Sequence, residues 1–203
     1  MIRDHDRAYW FGASDSQKIL TPNHYTKTWQ SWWRVKCGLE EPEFTGNRYT
    51  DAGTRFEHPI LECFDKNINM DRQLIIKDLR LRVNYDGDLD GVIFEVKTHR
   101  ADRPFEITPY IYAQCQTQMY VWRECRDDFK RLYVLSYALV SDDYENVDPS
   151  VDDIDFDRIK VHKVKYNKKH IKNYLKALSP LAEELKEYIK EEEDGEETLE
   201  HIR

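Results

Sequence analysis

The chain has 203 residues, of which 40% are hydrophobic, 13% aromatic and 34% charged, and its formal net charge is −8. This composition supplies a core for one domain and excludes a wholly disordered chain. No apolar run reaches the roughly 20 residues that span a bilayer, and the charged start of the chain is unlike a secretory signal, so we expect no membrane partner.

The hydrophobic pattern predicts five helices and five strands. Helices are expected at about residues 14–20, 28–37, 52–66, 108–123 and 168–190. Strands are expected at 73–77, 79–86, 91–99, 129–140 and 159–166. Pro59 predicts a kink or a late start in the third helix, and Ser179-Pro180 predicts a break in the last helix. The order of elements indicates one α/β domain over residues 1–190, with a mixed central β-sheet flanked by helices, followed by an acidic C-terminal tail at 191–203.

Charge is distributed unevenly along the chain. Residues 141–157 carry eight acidic side chains and no Lys or Arg, whereas residues 160–176 carry seven lysines and no acid. The acidic total argues mildly against a nucleic-acid partner, and the lysine block argues mildly for one. The block is read either as a solvated face or as a surface for phosphate contacts by Lys163, Lys165, Lys168 and Lys169.

A hairpin is predicted around Asp90-Gly91, a two-residue turn signal between two β-like segments. Counting back from this turn places Asp86 opposite Glu95. The alternation then puts four charged side chains on one face of the hairpin, namely Asp86, Asp88, Glu95 and Lys97. The opposite face, with Leu81, Val83, Val92, Phe94 and Val96, is the predicted core face.

Several carboxylates on one sheet face repel one another, and a divalent cation with oxygen ligands removes that cost. Lys97 follows Glu95 by two residues and points into the same place, where it could act on a water or on phosphate charge. The alternative interpretation is an exposed hairpin with a cross-strand ion pair. The residues by themselves leave both interpretations open.

The spacing of Asp86 from Glu95-Val96-Lys97 resembles the core motif of the PD-(D/E)XK nuclease superfamily. Three further segments resemble motifs of the YqaJ / lambda-exonuclease-type viral recombination nucleases. These are residues 11–15 (FGASD), residues 53–59 (GTRFEHP) and residues 112–119 (YAQCQTQM). Their order and spacing agree with the family over roughly residues 10–125, and the resemblance implies a restriction-endonuclease-like core.

The resemblance also implies roles for individual residues. Asp86, Glu95 and the backbone carbonyl of Val96 would hold the metal, and Lys97 would be the catalytic lysine. Glu57 would lie near the metal from a flanking helix, and Gln114 would line the site. DNA contacts are expected from Ser14, Arg55 and Gln116 together with the four lysines named above.

The chain departs from the family pattern at the motif aspartate. Tyr85 stands where a proline usually precedes this residue, and the Gly87–Asp90 spacing also fits a form found in RecB-like relatives. Asp86 is preferred because Asp90 lies in the turn, and Asp88 is the reserve candidate.

The function implied is a Mg²⁺-dependent deoxyribonuclease, with Mn²⁺ as a substitute, that degrades duplex ends from 5′ to 3′ in phage-type recombination. Relatives of this type form trimers and work beside a single-strand annealing protein, in a bacterial cell or a phage-infected host, which implies the cytoplasm. No iron–sulfur cluster is expected, because the four cysteines have unsuitable spacings. The alternatives are a RecB-like or CRISPR-adaptation-like nuclease acting on single strands or as an endonuclease, and a non-catalytic DNA-binding protein with a nuclease fold.

Overall fold

The structure, a computed structural model, describes residues 8–41 and 46–200, with side chains described as far as residue 190. The helices are α1 (Ser16–Leu20), α2 (Lys27–Lys36), α3 (Arg48–Phe64), α4 (Pro109–Cys125) and α5 (Lys168–Glu200). The strands are β1 (Asn69–Ile76), β2 (Leu81–Leu89), β3 (Val92–Arg100), β4 (Arg131–Leu139) and β5 (Ile159–Val164). Within the described residues, no helix combines the length and the apolar character needed to cross a membrane.

The five strands form one mixed sheet in the order β1-β2-β3-β4-β5. β3 and β4 are parallel because α4 crosses between them, and the other neighbouring strands are antiparallel. The predicted α/β fold with a mixed sheet and flanking helices is therefore confirmed.

Both faces of the sheet are buried. On one face, α1, α2, α4 and α5 pack against β-strand residues that include Leu81, Val83 and Ile93. On the other face, α3 packs against residues that include Phe94 and Val96. The prediction that Leu81 and Val83 share a core face with Val92, Phe94 and Val96 was wrong, because helices cover both sides of the sheet.

β2 does not keep one alternation of its side chains along its length. Tyr85 lies in the core on the α4 side. Two residues later, a Cβ added to Gly87 would meet Leu61 and Ile68 on the α3 side, and Leu89 packs there too. The change of face falls at Asp86, the residue that the sequence singles out.

Neither internal proline ends its helix. α3 continues through Pro59 and α5 continues through Pro180. A proline removes one intrahelical hydrogen bond, but the apolar residues on both sides stay buried: Phe56 and Ile60 in α3, Leu178 and Leu185 in α5. Tertiary packing therefore outweighs the local loss, and the predicted break near residue 180 was wrong.

α5 also passes the predicted domain boundary at residue 190 without interruption and extends to Glu200. Residues 201–203 of the predicted tail lie outside the described part of the chain. The division into a domain at 1–190 and a tail at 191–203 stays a prediction.

The turn before α1 is held by Asp15. A 3-10 turn at Ala13–Asp15 precedes the helix, and Gly12 N–H donates to Asp15 Oδ2 at 2.8 Å. The same carboxylate accepts from Trp32 Nε1 at 2.8 Å and pairs with Lys36 Nζ at 2.7 Å. Burial acts to raise the pKa of Asp15, but Lys36 and the other donors outweigh it and lower this pKa. Asp15 therefore caps this turn and ties it to α2.

Candidate active site

The turn between β2 and β3 has the predicted two-residue form. Asp90 and Gly91 both have positive φ, 48° and 77°, as a type I′ turn requires. A Cβ on Gly91 would lie 1.8 Å from the carbonyl oxygen of Asp128, so only glycine fits there. The turn sets the register Leu89–Val92, Asp88–Ile93 and Gly87–Phe94, as counted from the sequence.

Beyond Gly87 the Asp86 side chain connects the two strands. Val96 N–H donates to Asp86 Oδ2 at 2.7 Å, so a carboxylate takes the place of a backbone acceptor. This contact brings Asp86 to the β3 segment that carries Glu95 and Lys97. The change of face in β2 and the position of Asp86 between the strands are thus the same local feature.

Glu95 is buried on the α4 side of β3, with 1% of its surface exposed, and three side chains donate to its carboxylate. Oε1 accepts from Gln114 Nε2 at 2.6 Å and from Lys97 Nζ at 2.5 Å. Oε2 accepts from Gln118 Nε2 at 2.5 Å. A buried carboxylate needs such partners because the loss of water costs its charged form on the order of several kcal/mol.

Charges are crowded around Asp86. Burial raises the pKa of Asp86 well above its usual value, and the carboxylates of Glu95 and Glu57 raise it further. Burial acts to lower the pKa of Lys97, but Glu95 and Asp86 outweigh it and the net shift of this pKa is upward. Protonation of one carboxyl, or binding of a cation, is the way such a cluster relieves repulsion between its acids.

Glu57 approaches this cluster from α3. Burial raises its pKa, and the charge of Glu95 adds to the effect. Glu57 lines a cavity of about 400 Å³ together with Asp86, His58 and Asp71. One ligand atom from each of Glu57, His58 and Asp71 lies within 4.8 Å of the others, a spacing that could also hold a metal ion.

The three candidate aspartates have different surroundings. Asp88 is buried and forms an ion pair with Arg72, with Arg72 Nε 2.6 Å from Asp88 Oδ2. Asp90 forms the turn. Asp86 is the aspartate that contacts β3 next to Glu95, so the geometry favours it over the other two.

The residues predicted to contact DNA do not form one surface in the structure. Ser14 is exposed at the mouth of a second cavity, of about 480 Å³, that Lys18 and Trp32 also line. Arg55 donates to the carbonyl oxygens of Asn146 and Tyr144 at 3.1 and 3.2 Å, so it braces a loop.

Gln116 lies on the face of α4 away from Glu95. It is fully buried, and its amide bonds the carbonyl oxygen of Lys165 at 2.8 Å and the N–H of Asn167 at 2.7 Å. In this conformation a DNA strand does not reach it. The amide instead holds the loop between β5 and α5 against α4.

The four predicted lysines are exposed around that loop. Lys163 lies on β5, Lys165 lies in the loop, and Lys168 and Lys169 begin α5. The structure shows no contact between them and the Glu95 cluster within the described residues. Gln116 sets the position of this basic segment relative to α4.

The sequence did not identify Gln118, nor the pair His58 and Asp71, as neighbours of the candidate site. Gln118 follows Gln114 by four residues, one helical turn, and this spacing was the signal for a second amide on the same face. His58 and Asp71 lie on different elements, and pairing of α3 with β1 is a tertiary contact that no local spacing reveals.

The fold is similar to those of proteins of known structure. The fold matches an alkaline exonuclease, LHK-Exo, from Laribacter hongkongensis with a TM-score of 0.65, 15% identity and coverage of 97% of both chains. A phage-related exonuclease from Haemophilus somnus 129PT matches with a TM-score of 0.62, 14% identity and coverage of 90% of this chain and 96% of that chain. Comparison with curated protein sequences gives no match.

The sequence itself identifies the family. Residues 4–123 match the YqaJ-like viral recombinase domain, and this region contains Glu57, Asp86, Glu95, Lys97 and Gln114. The match spans more than half of the chain, from the segment before α1 to the last turns of α4. The chain therefore belongs to the family of YqaJ-like viral recombinase domains.

Proposed function

We propose that this protein is a metal-dependent deoxyribonuclease that degrades duplex DNA from its 5′ ends. The observation that carries the proposal is the meeting of Asp86, Glu95 and Lys97 where β2 and β3 stop pairing. Family membership supports a role in phage-type recombination, and the shared fold with two exonucleases supports an exonucleolytic mode.

The residues present fit a hard divalent cation such as Mg²⁺, with Mn²⁺ as a substitute. Asp86, Glu95 and the carbonyl oxygen of Val96 are oxygen donors, the ligand type that Mg²⁺ prefers, and a cation would offset the repulsion of the carboxylates of Glu95 and Glu57 on Asp86. These three residues would hold the cation. When bound, it supplies polarisation of the phosphoryl oxygen and stabilisation of the leaving oxygen.

Burial acts to lower the pKa of Lys97, but in the cation-free protein Glu95 and Asp86 outweigh this effect and raise the pKa, so the side chain stays an ammonium group there. An ammonium group can orient a water or stabilise charge that develops on a phosphate, but it does not accept a proton. We therefore assign Lys97 to charge stabilisation. Gln114 holds Glu95 Oε1, and Glu57 borders the cavity where a phosphate would enter.

The exposed lysines and α5 favour binding of the DNA backbone. Lys168 and Lys169 lie in the first turn of α5, where the helix dipole is positive and attracts anions. Family resemblance also supports a trimeric assembly, a single-strand annealing partner and action in the cytoplasm of a bacterial or phage-infected cell, as parts of the proposal.

Digestion of three labelled substrates tests this function. Linear duplex, single-stranded and closed circular DNA are incubated with Mg²⁺ or with EDTA, with and without a 5′-phosphate, beside the Lys97→Ala variant. We expect mononucleotides from the 5′ ends of linear duplex only, and no product with EDTA or with the variant. Cleaved circles would favour an endonuclease, and lysine-independent or EDTA-resistant digestion would contradict the site.

A further inference from the structure

Gln118 contacts both strands that carry the candidate site. Its side chain is fully buried, and Nε2 donates to Glu95 Oε2 on β3 at 2.5 Å and more weakly to the carbonyl oxygen of Asn84 on β2 at 3.4 Å. Its own backbone carbonyl accepts from Tyr85 Oη at 2.9 Å. One residue of α4 thus fixes Glu95 and the two residues that precede Asp86.

This bridge lies where the sheet gives the least support. The pairing of β2 with β3 extends only from Leu89–Val92 to Gly87–Phe94, so it ends before Asp86. Beyond that point, the Asp86 contact with Val96 N–H and the Gln118 bridge connect the two strands. The relative position of Asp86 and Glu95 is therefore set by these two contacts, of which Gln118 supplies one.

The orientation of the Gln118 amide costs free energy within the fold. Oε1 is buried and has no hydrogen-bond partner among the described residues. The opposite orientation would place this oxygen against Glu95 Oε2 and would remove a charged hydrogen bond. The orientation seen keeps the amide donor on the buried Glu95 carboxylate, where a charged hydrogen bond is stronger than a neutral one.

The hydrogen bond from Gln118 leaves one acceptor position of the Glu95 carboxylate open. A carboxylate oxygen accepts about two hydrogen bonds in its plane. Oε1 accepts two, from Gln114 and Lys97, whereas Oε2 accepts one, from Gln118. The second acceptor position of Oε2 is thereby given a fixed direction.

We propose that Gln118 is a positioning residue that holds Glu95 Oε2 and the β2 segment before Asp86 in the geometry required for cation binding. This inference rests on the proposed function, because it assumes that Asp86 and Glu95 are the cation ligands. Partners that orient metal ligands in this way change metal affinity by about 10- to 100-fold when they are removed.

Calorimetric titration of the purified protein with Mn²⁺ alone tests the inference without an activity assay. Gln118→Met keeps the length and removes the donor. Thr117→Val is the matched control, because Thr117 is equally buried on α4 but bonds Ser16 Oγ instead of Glu95. Glu95→Gln removes a proposed ligand itself, and thermal unfolding of each variant is measured in parallel.

We expect Gln118→Met to weaken Mn²⁺ binding at least tenfold and Thr117→Val to stay within about twofold of the parent protein. If Gln118→Met binds within twofold of the parent while Glu95→Gln loses binding, the positioning role is wrong. If Glu95→Gln binds Mn²⁺ like the parent, the proposed metal site is wrong instead. Should Gln118→Met not fold, Gln118→Asn, which keeps the amide but shortens its reach, is judged by the same thresholds.

Discussion

The Asp86 carboxyl is buried beside Glu95 and Glu57, and its pKa is raised in consequence. Such a group favours the folded protein when it is protonated and opposes folding when it is ionised. A carboxylate cluster of this kind is retained at the expense of stability, which is the usual relation between a functional site and the fold that carries it.

This gives a prediction for Asp86→Asn in the cation-free protein. The folded state binds more protons than the unfolded state between the ordinary pKa of 3.8 and the raised pKa of Asp86. Stability therefore falls as the pH rises through that window, and the penalty stays in place above it. An asparagine has no such penalty and still accepts the Val96 N–H bond.

We expect Asp86→Asn to raise the melting temperature by a few degrees at neutral pH, since about 1 kcal/mol corresponds to about 2–4 °C at this chain length. The gain should disappear below about pH 4, where the acid is protonated in both states. Thermal unfolding from pH 3.5 to 8 with EDTA measures this difference. A gain that grew toward acid pH would contradict the raised pKa.

At the scale of elements, the pair Asp15–Lys36 joins the turn before α1 to α2. Both side chains are largely buried, with 13% and 5% of their surfaces exposed. Removing one partner of such a pair leaves a buried charge without its counter-charge, whereas removing both leaves none.

We therefore expect Asp15→Ala to lower the free energy of unfolding by about 3–5 kcal/mol, and Asp15→Ala with Lys36→Met to recover a large part of the loss. Because the pKa of Asp15 is lowered in the folded state, its contribution is complete above the unfolded pKa of about 4 and is lost as the pH falls through the lowered value. Urea unfolding at pH 7 and pH 3 checks both statements. Equal losses for the single and double variants would show that the pair does not act as a unit.

The elements also show which parts of the site follow from the sequence. The turn at Asp90-Gly91 fixes the hairpin register by local geometry, so the positions of Glu95 and Lys97 on one face could be counted from it. The change of face at Asp86 could not be counted, because it depends on packing of α3 against Gly87. Gln116 and Gln118 share one motif, yet the loop before α5 binds the first and Glu95 binds the second, which only the tertiary fold decides.

In the whole molecule, two features of the charge distribution have opposite effects on DNA binding. These are the net charge of −8 and the basic segment around the start of α5. The acidic surface repels the backbone, while the exposed lysines attract it at one place. Contacts with phosphates release counterions, so affinity falls with salt in proportion to their number.

We predict that Lys168→Gln with Lys169→Gln reduces the slope of log affinity against log salt concentration by about 1.8, or 0.9 for each phosphate contact. Lys66→Gln, beyond the C-terminal end of α3, is the control and should leave the slope unchanged. The slopes are measured by fluorescence anisotropy of a labelled duplex in the presence of Ca²⁺, at salt concentrations from about 50 to about 200 mM. Identical slopes for all three proteins would remove the basic segment from the DNA-binding surface.

We propose that Asp86, Glu95 and Lys97 perform the hydrolysis, and a comparison of two neighbouring aspartates is the sharpest test of this proposal. The measurement is the rate of nucleotide release from linear duplex with Mg²⁺, for Asp86→Asn and Asp88→Asn side by side. Asp86 contacts β3 beside Glu95, whereas Asp88 pairs with Arg72. We expect a loss of at least about a thousandfold for Asp86→Asn, which is about 4 kcal/mol of transition-state stabilisation. For Asp88→Asn we expect a loss below about tenfold. Full activity in Asp86→Asn, with the loss in Asp88→Asn, would contradict it.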